Sequence, residues 1–205
     1  MKIYVDGFER SGNTFLSAAI EQTLRVNTIP LFSHRISTLE NRDKSFPFIV
    51  PLRDVLPTLV SAKIYRDFCW ANNIQSNERT GDPDELIQRF SDYMDYLIKN
   101  EDLFICPFKE FTTDLNNVMK VIVSSFSGLN IVKVLTADEI IANAEHHEIF
   151  ETPYLNNFPR QPVKEKEDVT NLFLSNYKKD LDIIQDKVNK LYIRYYERDN
   201  NGNTR

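Results

Sequence analysis

A short β-rich run, Lys2-Ile3-Tyr4-Val5-Asp6, passes directly into Gly7-Phe8-Glu9-Arg10-Ser11-Gly12-Asn13-Thr14, and few folds accept such a junction. Behind it, Phe15, Leu16, Ala19, Ile20 and Leu24 recur at spacings that share one helical face. A strand, a tight turn allowed by two glycines and a helix N-terminus bring backbone N–H groups and a positive dipole end onto one point. Ser11, Asn13 and Thr14 add side-chain donors. The frame is G-x-x-x-x-G, but Asn13 stands where a nucleotide triphosphatase carries the Lys that reaches the β- and γ-phosphates. The expected ligand is an anion other than ATP in its usual pose. A plain β-turn-α connection, whose glycines only permit the turn, is the alternative.

Strands and helices alternate downstream. A short strand is expected around Thr28 to Phe32, and a buried strand over the apolar run Phe46 to Leu52. Val55 to Ala71 reads as a helix, with Pro57 tolerable only in its first turn. Residues 72–83 read as a polar loop, Asp84 to Lys99 as a helix, Leu103 to Cys106 as a strand and Phe111 to Phe126 as a helix. Thr136-Ala137-Asp138-Glu139 is a capping box opening a further helix. Residues 151–167 are Pro-rich, charged and irregular, and Asp168 to Tyr196 is helical, in one or two pieces. Residues 1–198 are expected to form one α/β domain: a mostly parallel central sheet flanked by helices, in the three layers of a P-loop-like fold. Residues 199–205 form a polar tail. In such sheets ligands bind beyond the carboxyl ends of the strands, so the loops after the first three strands hold the candidate site.

The composition narrows the function. Twenty-five basic and 30 acidic residues give a net charge of −5, which disfavours a general binder of nucleic acid or of anionic membranes. An anionic ligand must be held by a local cationic cluster against the field of the whole molecule. No stretch approaches the ~20 apolar residues of a membrane helix. Cys69 and Cys106 are too few for a disulfide framework or a tetrahedral zinc site. Lys2 to Val5 reads as a strand rather than a secretory leader, so the expected compartment is the cytoplasm. No residue pattern specifies an oligomeric state.

Glu9-Arg10-Ser11-Gly12-Asn13-Thr14-Phe15-Leu16 resembles the 5′-phosphosulfate loop, typically P-K-S-G-T-T-W-L, of sulfotransferases that use 3′-phosphoadenosine 5′-phosphosulfate (PAPS). Glycan-modifying members of that family often carry R-S-G, as Arg10-Ser11-Gly12 does. A second family signature is an Arg at the end of the third strand and a Ser eight residues later, which together hold the 3′-phosphate. Arg53 and Ser61 match it, although Val55 stands where the family has Pro. Phe104 to Phe111 loosely resembles the family's strand and "YEDL" corner, and Tyr177-Lys178-Lys179-Asp180 its "Y-x-x-D" helix. The family's R-K-G-x-x-G segment is absent, with Arg160, Lys164 and Lys166 as candidate substitutes.

The resemblance implies that PAPS is the co-substrate, that a hydroxyl-bearing glycan or small molecule is the acceptor, and that no metal is required. Arg10, in the position of the family's catalytic Lys, would stabilise charge on the bridging oxygen and the 5′-phosphate. Ser11, Gly12, Asn13 and Thr14 would wrap that phosphate, and Arg53 with Ser61 would grip the 3′-phosphate. His34, after the second strand, is the candidate general base. Asp6 and Glu9 are alternative bases or ion-pair partners for Arg10. A surface ion pair with Asp54 is the structural alternative for Arg53. His146 and His147 are adjacent and point in different directions, so they form no common site. Core packing accounts for Tyr65, Phe68 and Trp70, best for Phe68, and Trp70 is alternatively a lining residue of an acceptor or adenine pocket. The rival functions are a degenerate P-loop nucleotide or small-molecule kinase and a non-catalytic nucleotide-binding protein of the same fold.

Overall fold

The computed structural model describes residues 2–30, 34–71, 81–144 and 163–202. Its elements are β1 (Lys2–Val5), α1 (Asn13–Leu24), β2 (Asn27–Pro30), α2 (Ile36–Glu40), β3 (Phe48–Leu52), α3 (Val55–Ala71), α4 (Pro83–Lys99), β4 (Phe104–Pro107), α5 (Phe108–Thr113), α6 (Leu115–Ser125), α7 (Ala137–Ala144) and α8 (Val163–Gly202). The four strands pair in parallel in the order β2-β1-β3-β4. The chain is thus an α/β protein with an all-parallel sheet flanked by helices.

Alternation along the strands divides their side chains between two cores. Phe48, Val50, Leu52, Leu103 and Ile105 meet α3, α4 and α8 through residues such as Leu59, Phe90, Met94 and Val188. Ile3, Val5, Ile49, Phe104 and Cys106 meet α1 and α6 through Leu16, Ile20, Val118 and Ile122. Every residue of β3 is buried, as expected for a strand covered on both faces. Pro51 is tolerated inside it because β1 pairs only as far as Val5↔Ile49 and then turns away. The Asp6 carbonyl takes the Tyr93 hydroxyl instead, at 3.5 Å.

Helix ends follow local chemistry. Asp82 caps α4 by accepting from the Asp84 amide at 2.9 Å, with Pro83 in the first turn. The capping box is formed: Thr136 Oγ1 accepts from the Glu139 amide at 3.2 Å, and the Glu139 carboxylate from the Thr136 amide at 2.8 Å.

Most boundaries shift by a few residues from the sequence expectation, and the larger differences lie in the second half of the chain. The helix expected over Phe111 to Phe126 is two helices, because Asp114 (φ −141°, ψ 72°) leaves helical geometry and caps α6 through the Asn117 amide at 3.0 Å. α8 starts at Val163, inside the stretch read as irregular, and runs through Gly202, into the stretch read as a polar tail. It is in two pieces, kinked at Tyr177 (φ −129°, ψ 15°). The short α2 was not expected at all. Residues 31–33, 72–80, 145–162 and 203–205, with Arg160, His146 and His147, lie outside the described residues. Among the described residues no helix is long and apolar enough to cross a membrane.

The strand order reverses between β1 and β3: the chain leaves β1 for β2 on one side, then returns past β1 to β3 on the other. In open parallel sheets such a reversal opens a crevice beyond the strands' carboxyl ends. The loops that follow β1 and β3 carry Arg10 and Arg53.

Candidate functional site

The loop after β1 is held in place by two glycines for different reasons. A Cβ at Gly7 would sit 2.3 Å from the Pro51 carbonyl oxygen, so only glycine lets the loop lie against the end of β3. Gly12 has φ +89°, and a Cβ there would lie 2.9–3.0 Å from the Phe108 and Phe111 rings. Arg10 also adopts a left-handed conformation, at φ 64°. α1 then begins with neither a side-chain cap nor an acidic residue in its first turn, which leaves the positive end of its dipole without a counter-charge from its own sequence.

Beneath the loop, Glu9 is buried and forms an ion pair with the equally buried Arg66 of α3, plus a longer one, at 3.5 Å, with Arg89 of α4. Its carboxylate anchors the loop to two helices, and its ion pairs are with Arg66 and Arg89 rather than with Arg10. Sequence reasoning missed Arg66, yet a signal existed. Residues 55, 59, 62, 66 and 69 form the buried stripe of α3, and an arginine on such a stripe demands a carboxylate.

Arg10 reaches across to α3. Its Nε donates to Ser61 Oγ at 3.2 Å, and its guanidinium lies 5.1 Å from the Tyr65 ring centroid. Ser61 and Tyr65, one turn apart, thus form the wall on which Arg10 rests. Tyr65 is in contact with this cation rather than being simple core. Arg53, at the end of β3, lies 4.7 Å over the Phe108 ring. It makes no hydrogen bond or ion pair among the described residues, so the surface pair with Asp54 is not formed. Asp54 instead accepts from the Tyr192 hydroxyl at 3.1 Å and from Gln185 at 3.2 Å, both on α8.

Burial, and then the nearby charge of Arg10, push the Arg53 pKa down. Burial likewise lowers that of Arg10. Both guanidiniums remain charged at neutral pH. Arg10 and Arg53 therefore concentrate positive charge at a partly desolvated point, where it interacts strongly.

Ser11 is fully buried, and neither its hydroxyl nor Asn13 Oδ1 has a hydrogen-bond partner among the described residues. Buried polar atoms are rarely left so, and a bound anion or water is the usual explanation. The Asn13 amide nitrogen bonds to the Gly7 carbonyl at 3.1 Å, bracing the loop entrance. Thr14 is half-buried on the first turn of α1. His34, with φ 52°, places Nδ1 2.7 Å from the Gly7 carbonyl and 3.4 Å from Asp6 Oδ1. Burial lowers its pKa, but hydrogen bonding and charge from Asp6, the Gly7 carbonyl and Glu9 outweigh that, and the net shift is upward.

The structure brings Arg10 onto Ser61, with its charge felt at Arg53, and gathers Asp6, Asn13 and His34 around the Gly7 carbonyl. Trp70, with 73% of its surface exposed, projects into solvent at the end of α3. Lys164 and Lys166 are exposed on the first turn of α8. The chain matches no protein-family model, no curated protein and no solved structure.

Proposed function

We propose that this protein is a PAPS-dependent sulfotransferase whose co-substrate lies in the crevice between β1 and β3, on a P-loop-like frame. The observation that carries the proposal is the convergence of Arg10 and Arg53 there, with Ser61 hydrogen-bonded to Arg10. In sulfuryl transfer the acceptor oxygen attacks sulfur, the bond from sulfur to the bridging oxygen breaks, and adenosine 3′,5′-bisphosphate departs. The acceptor proton passes to a base. Protein groups act by positioning and by stabilising charge, as in phosphoryl transfer. Arg10 would neutralise charge developing on the bridging oxygen, and the α1 N-terminus with Ser11 would hold the 5′-phosphate. Arg53 would take the 3′-phosphate, and His34 the acceptor proton.

One observation favours a second reading. Arg10 and Ser61 belong to the two separate phosphate elements of the resemblance, yet they touch each other here. A cluster this compact also suits a single phosphate group, as in a kinase or a non-catalytic anion-binding protein.

Thermal shift under titration separates the readings, because a ligand of the folded state alone stabilises by RT ln(1 + [L]/Kd), about 2.7 kcal/mol at 100 Kd. Adenosine 3′,5′-bisphosphate is expected to stabilise the wild type well beyond AMP or inorganic phosphate, and Arg53→Ala to abolish the difference. Equal stabilisation by phosphate and bisphosphate, or a preference for ATP with magnesium, overturns the PAPS reading.

A further inference from the structure

We infer that the Gly7 carbonyl and the buried Asp6 carboxylate together position an imidazole base, the carbonyl fixing the His34 ring so that Nε2 is the proton-accepting atom and the carboxylate supplying charge beside it. The inference deepens the proposed transfer reaction and rests on that reading for its chemical purpose. Its geometry stands apart from it. The Gly7 carbonyl can only accept a hydrogen bond, and it lies 2.7 Å from His34 Nδ1, so that nitrogen carries the proton. Asp6 Oδ1, 3.4 Å from the same nitrogen, adds a fully buried carboxylate on the same side of the ring. Asn13 Nδ2 also donates to the Gly7 carbonyl and lies 3.4 Å from Nδ1, closing the arrangement from α1.

With Nδ1 committed as donor, the neutral ring presents its lone pair on Nε2, turned away from Asp6 and Gly7. A sixth of the His34 side-chain surface stays accessible, enough for one ring edge to meet a substrate hydroxyl. A histidine at φ 52° is an uncommon, strained backbone state. The carboxylate and the carbonyl supply the contacts that hold it there. A backbone carbonyl thus sets the tautomer, while the buried aspartate beside it favours the imidazolium, as a buried aspartate does beside a catalytic histidine elsewhere. The charged groups acting on the ring are Asp6 at the end of β1 and Glu9 in the loop, with the Gly7 carbonyl and Asn13 as neutral neighbours. Burial lowers the His34 pKa, and Asp6 is the largest of the influences that raise it above the ordinary histidine value, with the Gly7 carbonyl and Glu9 adding to it.

On proton transfer, an acceptor O–H bond breaks as the oxygen bonds to sulfur, and the proton moves to Nε2. The ring becomes an imidazolium that Asp6 stabilises.

The test is 15N NMR of the imidazole rings, with His34→Gln identifying the His34 signals. Nitrogen shifts of the neutral wild-type ring are expected to show the Nδ1–H tautomer, and Asp6→Asn to lower the His34 pKa by a measurable step. An Nε2–H tautomer in the wild type overturns the inference, whether or not Asp6→Asn folds. So does a His34 pKa unmoved in a folded Asp6→Asn. Neither readout depends on turnover, so the failure of the transferase reading alone would appear as correct ring signatures with no sulfuryl transfer. Where transfer is observed, the pH profile of Asp6→Asn is expected to shift to lower pH in step with the ring pKa. A merely structural loss would lower the rate at all pH values alike, and that outcome also overturns the inference.

Discussion

Replacing Glu9 by Ala tests the foundation of the loop. The Glu9 and Arg66 side chains are 4% and 1% exposed, so the mutation takes from a buried guanidinium the carboxylate it pairs with. Arg89, 29% exposed, is the second cation on the same carboxylate and can turn to water. Removing one partner of a buried ion pair costs about 3–5 kcal/mol, because the remaining charge stays desolvated. At roughly 2–4 °C per kcal/mol for a chain of this size, Tm should fall by about 6–20 °C. Urea unfolding should show the loss in the midpoint, with the m-value unchanged. The double variant Glu9→Met/Arg66→Met replaces both charges by apolar side chains, and such replacements are often close to neutral. It should recover to within about 1–2 kcal/mol of wild type, and the cycle closed by the singles Glu9→Met and Arg66→Met should report a coupling above roughly 2 kcal/mol. A single-variant loss below about 1 kcal/mol, or a double variant whose loss equals the sum of the two singles, would refute the argument.

Three further outcomes follow from the same geometry. Gly12→Ala forces a side chain into φ +89° and against the rings of Phe108 and Phe111, so it should cost roughly 1–3 kcal/mol in thermal unfolding. An unchanged Tm would mean that the loop does not hold this turn. Arg53→Ala should change the stability of the ligand-free protein by less than about 1 kcal/mol, while phosphate affinity falls at least tenfold. The variant forfeits the cation–π attraction to Phe108, but it also relieves the burial of the guanidinium and its repulsion from Arg10. A loss of stability with affinity intact would make Arg53 a structural residue. The raised His34 pKa means that the folded state binds a proton more tightly than the unfolded chain. The resulting stabilisation is fully present below pH 6.5 and disappears as pH rises through the folded-state pKa. Stability curves across that window should therefore decline for the wild type, and His34→Gln should flatten the decline.

The sequence made the β1–loop–α1 junction plain because its determinants are local: two glycines, an apolar strand and a helix with a clear face. Arg53 and Ser61 could be placed for the same reason, one ending a strand and one lying on the helix behind it. The break between α5 and α6 could not be seen by periodicity, because Phe111, Leu115, Val118 and Ile122 keep helical spacing straight through Asp114. α2 is too short to show any period. The strand order, which puts the Arg10 and Arg53 loops side by side, is set by how the crossovers pack, and no local pattern encodes it. The pairing of Glu9 with Arg66 joins residues 57 positions apart. Arg66 signalled that a buried charge needed a partner, but did not say which carboxylate would supply it.

A chain with net charge −5 is on its face a poor host for an anion, and the surroundings of the crevice explain why the total misleads. Three carboxylates close to the loop in the chain or packed beside it, Asp6, Glu9 and Asp54, are engaged internally. Glu9 is outnumbered by Arg66 and Arg89. Asp6 faces an imidazole whose protonation it promotes, and Asp54 is turned to Tyr192 and Gln185 on α8. The guanidiniums of Arg10, Arg53, Arg66 and Arg89 thus accompany three carboxylates that are each engaged within the fold. Much of the remaining acidity lies on exposed helix faces, as at Asp182 and Glu165. Salt screens exposed charges beyond about 8 Å at physiological ionic strength, whereas buried groups close to the site are screened far less. The sign of the field at the site is thus set by how its neighbouring carboxylates are paired, and the total charge of the protein enters only as a weak, salt-dependent opposition to the ligand's approach.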